Sequence, residues 1–370
     1  MDLSKLRSEF PTLNEMVYID IAYGNPLPNR VRDAMIEFLT LQQRKGVSVA
    51  RSAAFEVVDG LREKFGALVG ASPSEVAFVK NTSEGLNLAA NGIAFRRGDN
   101  VVLNELEHPN NTHCWLRLRE KGVDVRVARQ EDGRLDLGNL ERMVDDDTKV
   151  VAVSSTTNLG FRFDLERLGE ICGEHSCRLV VDAIQSLGIE PLDVKSLGVD
   201  VLSSSAHKGL LGPHGIGFFY CSGEMIEDVE PMSVAGTCYE SSASGEKTLK
   251  KTAARFEGGN YNYAGVYGAS AGLDLVLDLE RGKAAERCFS LAEAFREGVR
   301  GAGCAVHDSL VEGERSHIVV FSHPRLSCGE LGERLERGGV RVSTHYGVVR
   351  ASFAPFNDAS DVEAAVEAVG

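Results

Sequence analysis

Between Glu75 and Ser205 the chain repeats one pattern: a short run of apolar, mostly β-branched residues, then a stretch with helical spacing. EVAFV, NVVLNEL, VDVRVA, KVVAVS, RLVVD and VDVLSS are the apolar runs, and helices are predicted from about Ser83, Asn111 and Leu165. Alternation of this kind is the signature of a mainly parallel sheet covered by helices on both faces. The next apolar run, GIGFFY, differs. Too few residues separate it from VDVLSS for a crossover helix, so it should run antiparallel.

A Gly-, Ser- and Lys-rich stretch around Ser241 to Lys251 and a long helix from about Tyr261 to Leu279 lead into a second unit. A helix around Ala284 to Arg300, the strand HIVVF, the helix GELGERLERG, the strands VRVS and VVRASF and a final helix make a small α+β domain. Ser360 and Glu363 have the spacing of a capping box at the start of that last helix. The expected division is a large domain over 15–260 and a small C-terminal one over 261–370 that also takes in 1–14. With 370 residues and 43% hydrophobic content, the chain can bury a core in each.

The net charge of −14 argues against a general nucleic-acid binder, which needs a basic face. MDLSKLRSEFPTL lacks the apolar core of a secretory signal, and no apolar run is long enough to span a bilayer. The eight cysteines form no CxxC pair and suggest no metal site; they read as reduced thiols of a cytoplasmic protein.

In an open α/β sheet, ligands bind at the carboxyl ends of the strands, and here every such end carries polar groups. EVAFVK is followed by Asn81, Thr82 and Ser83; NVVLNELE by His108; KVVAVSSTT by Asn158; RLVVD ends in Asp182 with Gln185 beyond it; VDVLSSS, which ends in Ser205, is followed by His207 and Lys208. Thr82 and Ser83 open a helix, where hydroxyls and free amides suit either a phosphate or an ordinary N-cap. Asp182 closes a purely apolar strand and needs a partner: a protonated pyridine nitrogen, an arginine or backbone donors. His108 is either a stacking ring or a loop histidine. Lys208 alone is either a nucleophilic amine or a solvated turn residue.

NTSEGLN, ELEHPNN, SSTTNLG, VVDAIQSLG, SSSAHKGLLGPHGIGF and ARFEGGNYN, in that order and spacing, resemble the class V aminotransferase and cysteine desulfurase group of pyridoxal-phosphate enzymes. The resemblance runs from about Tyr18 to Asn357. It implies fold type I: an α/β, mainly parallel seven-stranded sheet with one antiparallel strand, plus a small α+β C-terminal domain. It implies pyridoxal 5'-phosphate as cofactor, with Lys208 forming the Schiff base and moving the substrate Cα proton. Thr82, Ser83, Ser205 and His207 would bind the phosphate, His108 would stack on the ring, and Asp182 would pair with the ring nitrogen. Gln185 and Asn158 would lie near the phenolic oxygen. Asn260 stands where related enzymes often have a threonine that reaches the neighbouring subunit's phosphate, so a homodimer with shared active sites is expected.

Arg350, in VVRASF, matches the family arginine that pairs with the substrate α-carboxylate, and Tyr23 and Asn25, in IAYGNPLP, fall in its substrate-facing N-terminal segment. The desulfurase branch carries a persulfide-forming cysteine on a loop before that arginine. Here the connection is only Thr344, His345, Tyr346 and Gly347, without cysteine, and Ser343 replaces a second arginine. His345 and Tyr346 either line the substrate pocket or make a simple hairpin turn. The resemblance therefore leaves an aminotransferase or a Cβ–S lyase without a protein persulfide. The alternatives are an amino-acid racemase or epimerase of the same fold, and a catalytically silent scaffold.

Overall fold

The computed structural model describes residues 3–130, 137–307, 309 and 311–370. The N-terminal segment holds helix α1 (Leu3–Ser8), the short strand β1 (Val17–Tyr18) and two long helices, α2 (Asn29–Lys45) and α3 (Val47–Val69). Gly46, at φ +81°, turns the chain between α2 and α3, a conformation open to glycine at little cost.

The expected alternation follows: β2 (Val76–Val79), α4 (Thr82–Gly92), β3 (Asn100–Asn104), α5 (Pro109–Leu116), β4 (Asp124–Ala128), α6 (Leu137–Glu141), β5 (Thr148–Ser154), α7 (Leu165–His175), β6 (Arg178–Asp182), β7 (Val201–Ser205) and β8 (Gly217–Cys221). They build a seven-stranded sheet in the order β2-β8-β7-β6-β5-β3-β4. β8 is antiparallel to both neighbours, as the short connection from β7 demands, and every other pairing is parallel. α5 starts at Pro109, two residues before the predicted position, because His108 caps it and proline fits the first helical turn.

Alternate residues of each strand enter two apolar clusters on opposite faces of the sheet. Val151, Val153, Leu179, Val181, Leu202 and Phe218 lie in one, and Val150, Ala152, Val180, Val201 and Phe219 in the other. That is why these strands read as unbroken apolar runs rather than alternating ones. With both faces covered, the polar groups at the strand ends can meet only at the sheet's carboxyl edge.

Beyond β8 lie the hairpin strands β9 (Tyr239–Ser241) and β10 (Lys247–Leu249), then α8 (Tyr263–Leu277) and α9 (Arg281–Gly301). The C-terminal unit has β11 (Ala305–Val306), β12 (Ile318–Ser322), α10 (Cys328–Arg337), β13 (Val340–Arg341), β14 (Ser343–His345), β15 (Val348–Ser352) and α11 (Ala359–Val369). Its four-stranded sheet has the order β11-β12-β15-β14.

Two local expectations are corrected. VRVS is not one strand: Val340–Arg341 pairs in parallel with Val17–Tyr18, while Ser343–His345 pairs antiparallel with β15. The last helix is capped by Asp358 and Asp361, not by Ser360 and Glu363. Asp358 accepts from the Ser360 and Asp361 amides, and a carboxylate is a stronger acceptor there than a serine hydroxyl. Asp361 is held in place by Arg7 at 2.8 Å. The same arginine donates to the Phe356 carbonyl, so α1 is tied to the C-terminal unit while Leu6 and Phe10 enter the core of the large sheet. Among the described residues no helix is long and apolar enough to cross a membrane.

Candidate active site

The carboxyl ends of β2, β5, β6 and β7 and the turn after β3 open into a cavity of about 350 Å³. Thr82, Ser83, His108, Asn158, Asp182, Gln185, Ser205, His207 and Lys208 line it, as do Tyr23, His345, Tyr346 and Arg350. Residues from the large sheet, the N-terminal segment and the C-terminal hairpin thus share one site. Two sequence-predicted residues stand apart. Asn25 lies behind the lysine turn, its amide donating to the Gly212 carbonyl at 2.8 Å and its backbone N–H to the His207 carbonyl. Asn260 lines a separate cavity with Lys80, Glu84 and Asn262.

The turn after β7 is narrow for a visible reason. Leu211 N–H donates to the Lys208 carbonyl and Gly212 N–H to the Ala206 carbonyl. The turn after β6 presses on it so closely that a Cβ on Gly188 would sit 1.9 Å from the Gly209 carbonyl oxygen. On the other side, a Cβ on Gly217 would lie 2.7 Å from the Ser204 carbonyl and 3.1 Å from the Asn81 Cα. These contacts hold Lys208 at the cavity wall. Burial, with Arg350 second, brings its pKa down from 10.5 to about 7, against the pull of Asp182 and Asp20.

Asp182 is 3% exposed. One oxygen accepts from the Ile184 N–H at 3.0 Å. Burial raises its pKa to about 7, with repulsion from Glu107 adding to the shift. His108 caps α5, its Nδ1 accepting from the Asn110 N–H, while its ring lines the cavity. Burial, Lys208 and Arg350 lower its pKa, favouring neutral imidazole. His207 stacks on His214 with ring centres 4.2 Å apart, and burial brings its pKa down to about 3.

Asn81, not Thr82 or Ser83, caps α4, its Oδ1 accepting from the Glu84 N–H. Ser205 Oγ accepts from the Thr82 N–H at 2.7 Å and lies 2.8 Å from Thr82 Oγ1. Gln185 donates to the Ala22 carbonyl at 3.2 Å. Arg350 is 5% exposed; one Nη donates to the Asn158 carbonyl at 3.2 Å, and its Nε is buried with no hydrogen-bond partner among the described residues.

The sequence reading missed two buried carboxylates. Asp20 accepts from Ser343 Oγ at 2.7 and 2.8 Å and lies 3.9 Å from Arg350 Nη2. Burial raises its pKa to about 6. Its signal was available, since Asp20 ends the apolar run VYID as Asp182 ends RLVVD. Glu107 accepts from Asn104, Asn111 and both the amide and hydroxyl of Ser154, under the His108 turn. A glutamate between two asparagines in the stretch NELEHPNN carried no comparable signal.

The family profile described as aminotransferase class-V matches residues 17–365. A probable cysteine desulfurase of Methanothermobacter thermautotrophicus is 37% identical over 75% of this chain and 70% of its own length. One from Pyrococcus abyssi is 31% identical over 97% of this chain and 94% of its own. The apo structure of a cysteine desulfurase from Thermococcus onnurineus superposes with a TM-score of 0.90 at 30% identity, covering 98% of this chain and 96% of that one. On the extent of the match and the arrangement of its strands, the chain belongs to the class V aminotransferase family of enzymes.

Proposed function

We propose that this protein is a pyridoxal 5'-phosphate enzyme that acts on an α-amino acid through Lys208, as an aminotransferase or a Cβ–S lyase without a protein persulfide. The observation that carries the reading is that Lys208 and Asp182 line one cavity with Arg350, whose buried Nε has no hydrogen-bond partner among the described residues. The residues fit the cofactor. Asp182 has one oxygen held by the backbone and lines the cavity, which suits a protonated ring nitrogen. Thr82, Ser83, Ser205 and His207 stand around the start of α4, where backbone amides and the helix dipole favour a phosphate.

When bound, the cofactor supplies the electron sink that stabilises charge developing at the substrate Cα. The chain supplies the rest. Burial lowers the pKa of Lys208 and so favours its free amine, able to attack a carbonyl and to hold or return a proton. Arg350 takes the substrate α-carboxylate through Nε and an Nη, which fixes the orientation of Cα beside Lys208. Asp182 keeps a negative charge near the ring nitrogen, and His108 offers a neutral face over the cavity.

The hairpin supports the choice between reactions. β14 and β15 are joined by Tyr346 and Gly347 alone, and seven of the eight cysteines are buried. Cys328, the partly exposed one, opens α10 rather than this hairpin. The eight free thiols fit a cytoplasmic protein.

The homodimer rests on a different observation. Ile36, Leu39, Val47, Val49 and Phe55 of α2 and α3, with Met232 and Val234, are large apolar side chains left exposed. Asn260 belongs to the neighbouring subunit's site. Sedimentation equilibrium checks this: a monomer that retains cofactor and activity overturns it.

The test of the reaction is the visible spectrum of the purified holoenzyme mixed with single amino acids, including cysteine and cystine, without a keto-acid acceptor. Permanent conversion to the pyridoxamine form identifies a transaminase. Return of the Lys208-bound band with pyruvate or a sulfur product identifies a lyase. A colourless protein with no bound cofactor, or a coloured one that no amino acid perturbs, overturns the proposal.

A further inference from the structure

Tyr346 has a backbone that a tyrosine rarely adopts. It occupies the first position of the two-residue turn between β14 and β15, at φ +50°, followed by Gly347 at φ +83°. Two successive positive φ values define the tight hairpin turn for which Asn-Gly is the preferred pair. A bulky aromatic there is disfavoured, and such outliers cluster at ligand sites. Within one subunit the ring does not offset this by packing, since Tyr346 is 76% exposed while lining the Lys208 cavity. Tyr23, 65% exposed, lines the same cavity.

The charges of the cavity are equally informative. Among the described lining residues, Lys208 and Arg350 are the only lysine or arginine. Both are committed, one to the cofactor and one to the α-carboxylate. His108, His207 and His345 all have lowered pKa values and favour the neutral form. Ser343, beside Arg350, is bonded to Asp20 and adds no cation. A carboxylate on the substrate side chain therefore has no cationic partner among the described lining residues of this chain.

Resting on the reading of Lys208 and Arg350 given above, we propose that Tyr346 is a specificity-determining residue. Together with Tyr23 it forms an aromatic mouth that grips an uncharged amino-acid side chain long enough to reach the rim, such as an unbranched alkyl, thioether or disulfide chain. The hairpin keeps an unfavourable backbone at that position because the ring acts on substrate rather than on the fold.

The experiment uses the holoenzyme and three variants of the cavity mouth: Tyr346→Asn, Tyr346→Phe and Tyr23→Ala. The probes are L-methionine, L-alanine and L-aspartate, followed by titration of the visible spectrum, with Tm measured in parallel. In the native protein L-methionine should bind more tightly than L-alanine, and L-aspartate most weakly. Y346N should weaken L-methionine about tenfold, the loss of one face of apolar contact, and leave L-alanine within twofold. Its Tm should hold or rise, because asparagine suits the turn. Y346F should bind as the native protein does, and Y23A should weaken L-methionine selectively.

Equal losses for L-methionine and L-alanine, a fall in Tm of several degrees, or unchanged L-methionine binding in Y346N overturns the proposal. So does a native protein that prefers L-aspartate. Failure of the underlying reading gives a separate result: no spectral response to any of the three amino acids in the native holoenzyme.

Discussion

Glu107 should contribute more to this fold than any surface ion pair. It is 7% exposed and accepts four hydrogen bonds: from Asn104 on β3, from Asn111 on α5 at 2.7 Å, and from the amide and hydroxyl of Ser154 at the end of β5. Three of these donors cannot turn away. The Ser154 amide is backbone, while Asn104 Oδ1 is held by the Leu106 N–H and Asn111 Oδ1 by the Trp115 indole at 3.2 Å. Glu107→Ala leaves three fixed donors buried without acceptors, each costing about 1–3 kcal/mol, so a loss of about 3–6 kcal/mol is expected once water enters the vacated space. Glu107→Gln should cost less. Its oxygen can serve Asn104 and the Ser154 amide, and the Ser154 hydroxyl can rotate to accept from its NH2. Only Asn111 then faces a donor, for about 1–3 kcal/mol. The assay is urea unfolding of the cofactor-free protein, comparing midpoints at unchanged m-value. Alanine and glutamine variants that agree within about 1 kcal/mol, or an alanine variant that loses less than about 1 kcal/mol, refute the hydrogen-bond reasoning.

Three other perturbations test the electrostatics and the lysine turn. Lys208 has a folded pKa of about 7 against 10.5, which costs stability fully below pH 7 and not at all above about 10.5. Lys208→Met in the cofactor-free protein should therefore gain stability over the native chain at pH 6, and urea midpoints should show that advantage shrinking towards pH 10. Asp20 is raised from 3.8 to about 6, so its cost is absent below pH 4 and complete above pH 6. Relative to the native protein, Asp20→Asn should gain up to about 3 kcal/mol between pH 4 and pH 7, and a pH-independent difference would contradict the burial argument. Asn25→Ala removes the bond to the Gly212 carbonyl, costing about 1 kcal/mol, and should shorten cofactor retention on dialysis by loosening the Lys208 turn.

The large sheet was legible because both of its faces are buried. Val150 to Val153 and Leu179 to Val181 had to be apolar at every position, and the brevity of the link from β7 to β8 settled the one reversal. The polar residues that line the cavity at the strand ends were legible for the converse reason, since a polar side chain closing an apolar strand is conspicuous. Pairings over long sequence separation were not legible. Nothing local in VRVS shows that Val340 pairs with Val17 while Ser343 turns to β15 and Asp20. Nor does IAYGNPLP show that Asn25 faces the lysine turn while Tyr23 faces the cavity, because successive residues of an irregular segment have no fixed period. The helices α2 and α3 carry a related limit: their exposed apolar residues blur the stripe that marks a helix packed on one side.

The displaced pKa values share one cause. Asp182 and Asp20 are raised and Lys208 is lowered, each towards its neutral form, by burial. The free chain thus holds a site whose charges are disfavoured, and on the proposed function a ligand supplies their partners: a cation for Asp182, an anion for Arg350 and the start of α4. Two apolar clusters, one on each face of the sheet, must outweigh that cost for the chain to fold without the cofactor. On the proposed function, the same disfavoured charges make binding selective, because a ligand lacking either the ring cation or the carboxylate leaves part of the cost in place. Ser343 extends this logic to the substrate. It engages Asp20 instead of offering a second cation, and Asp20 lies 3.9 Å from Arg350; on the proposed function Arg350 then binds the α-carboxylate, and the side chain is left to the proposed mouth of Tyr23 and Tyr346.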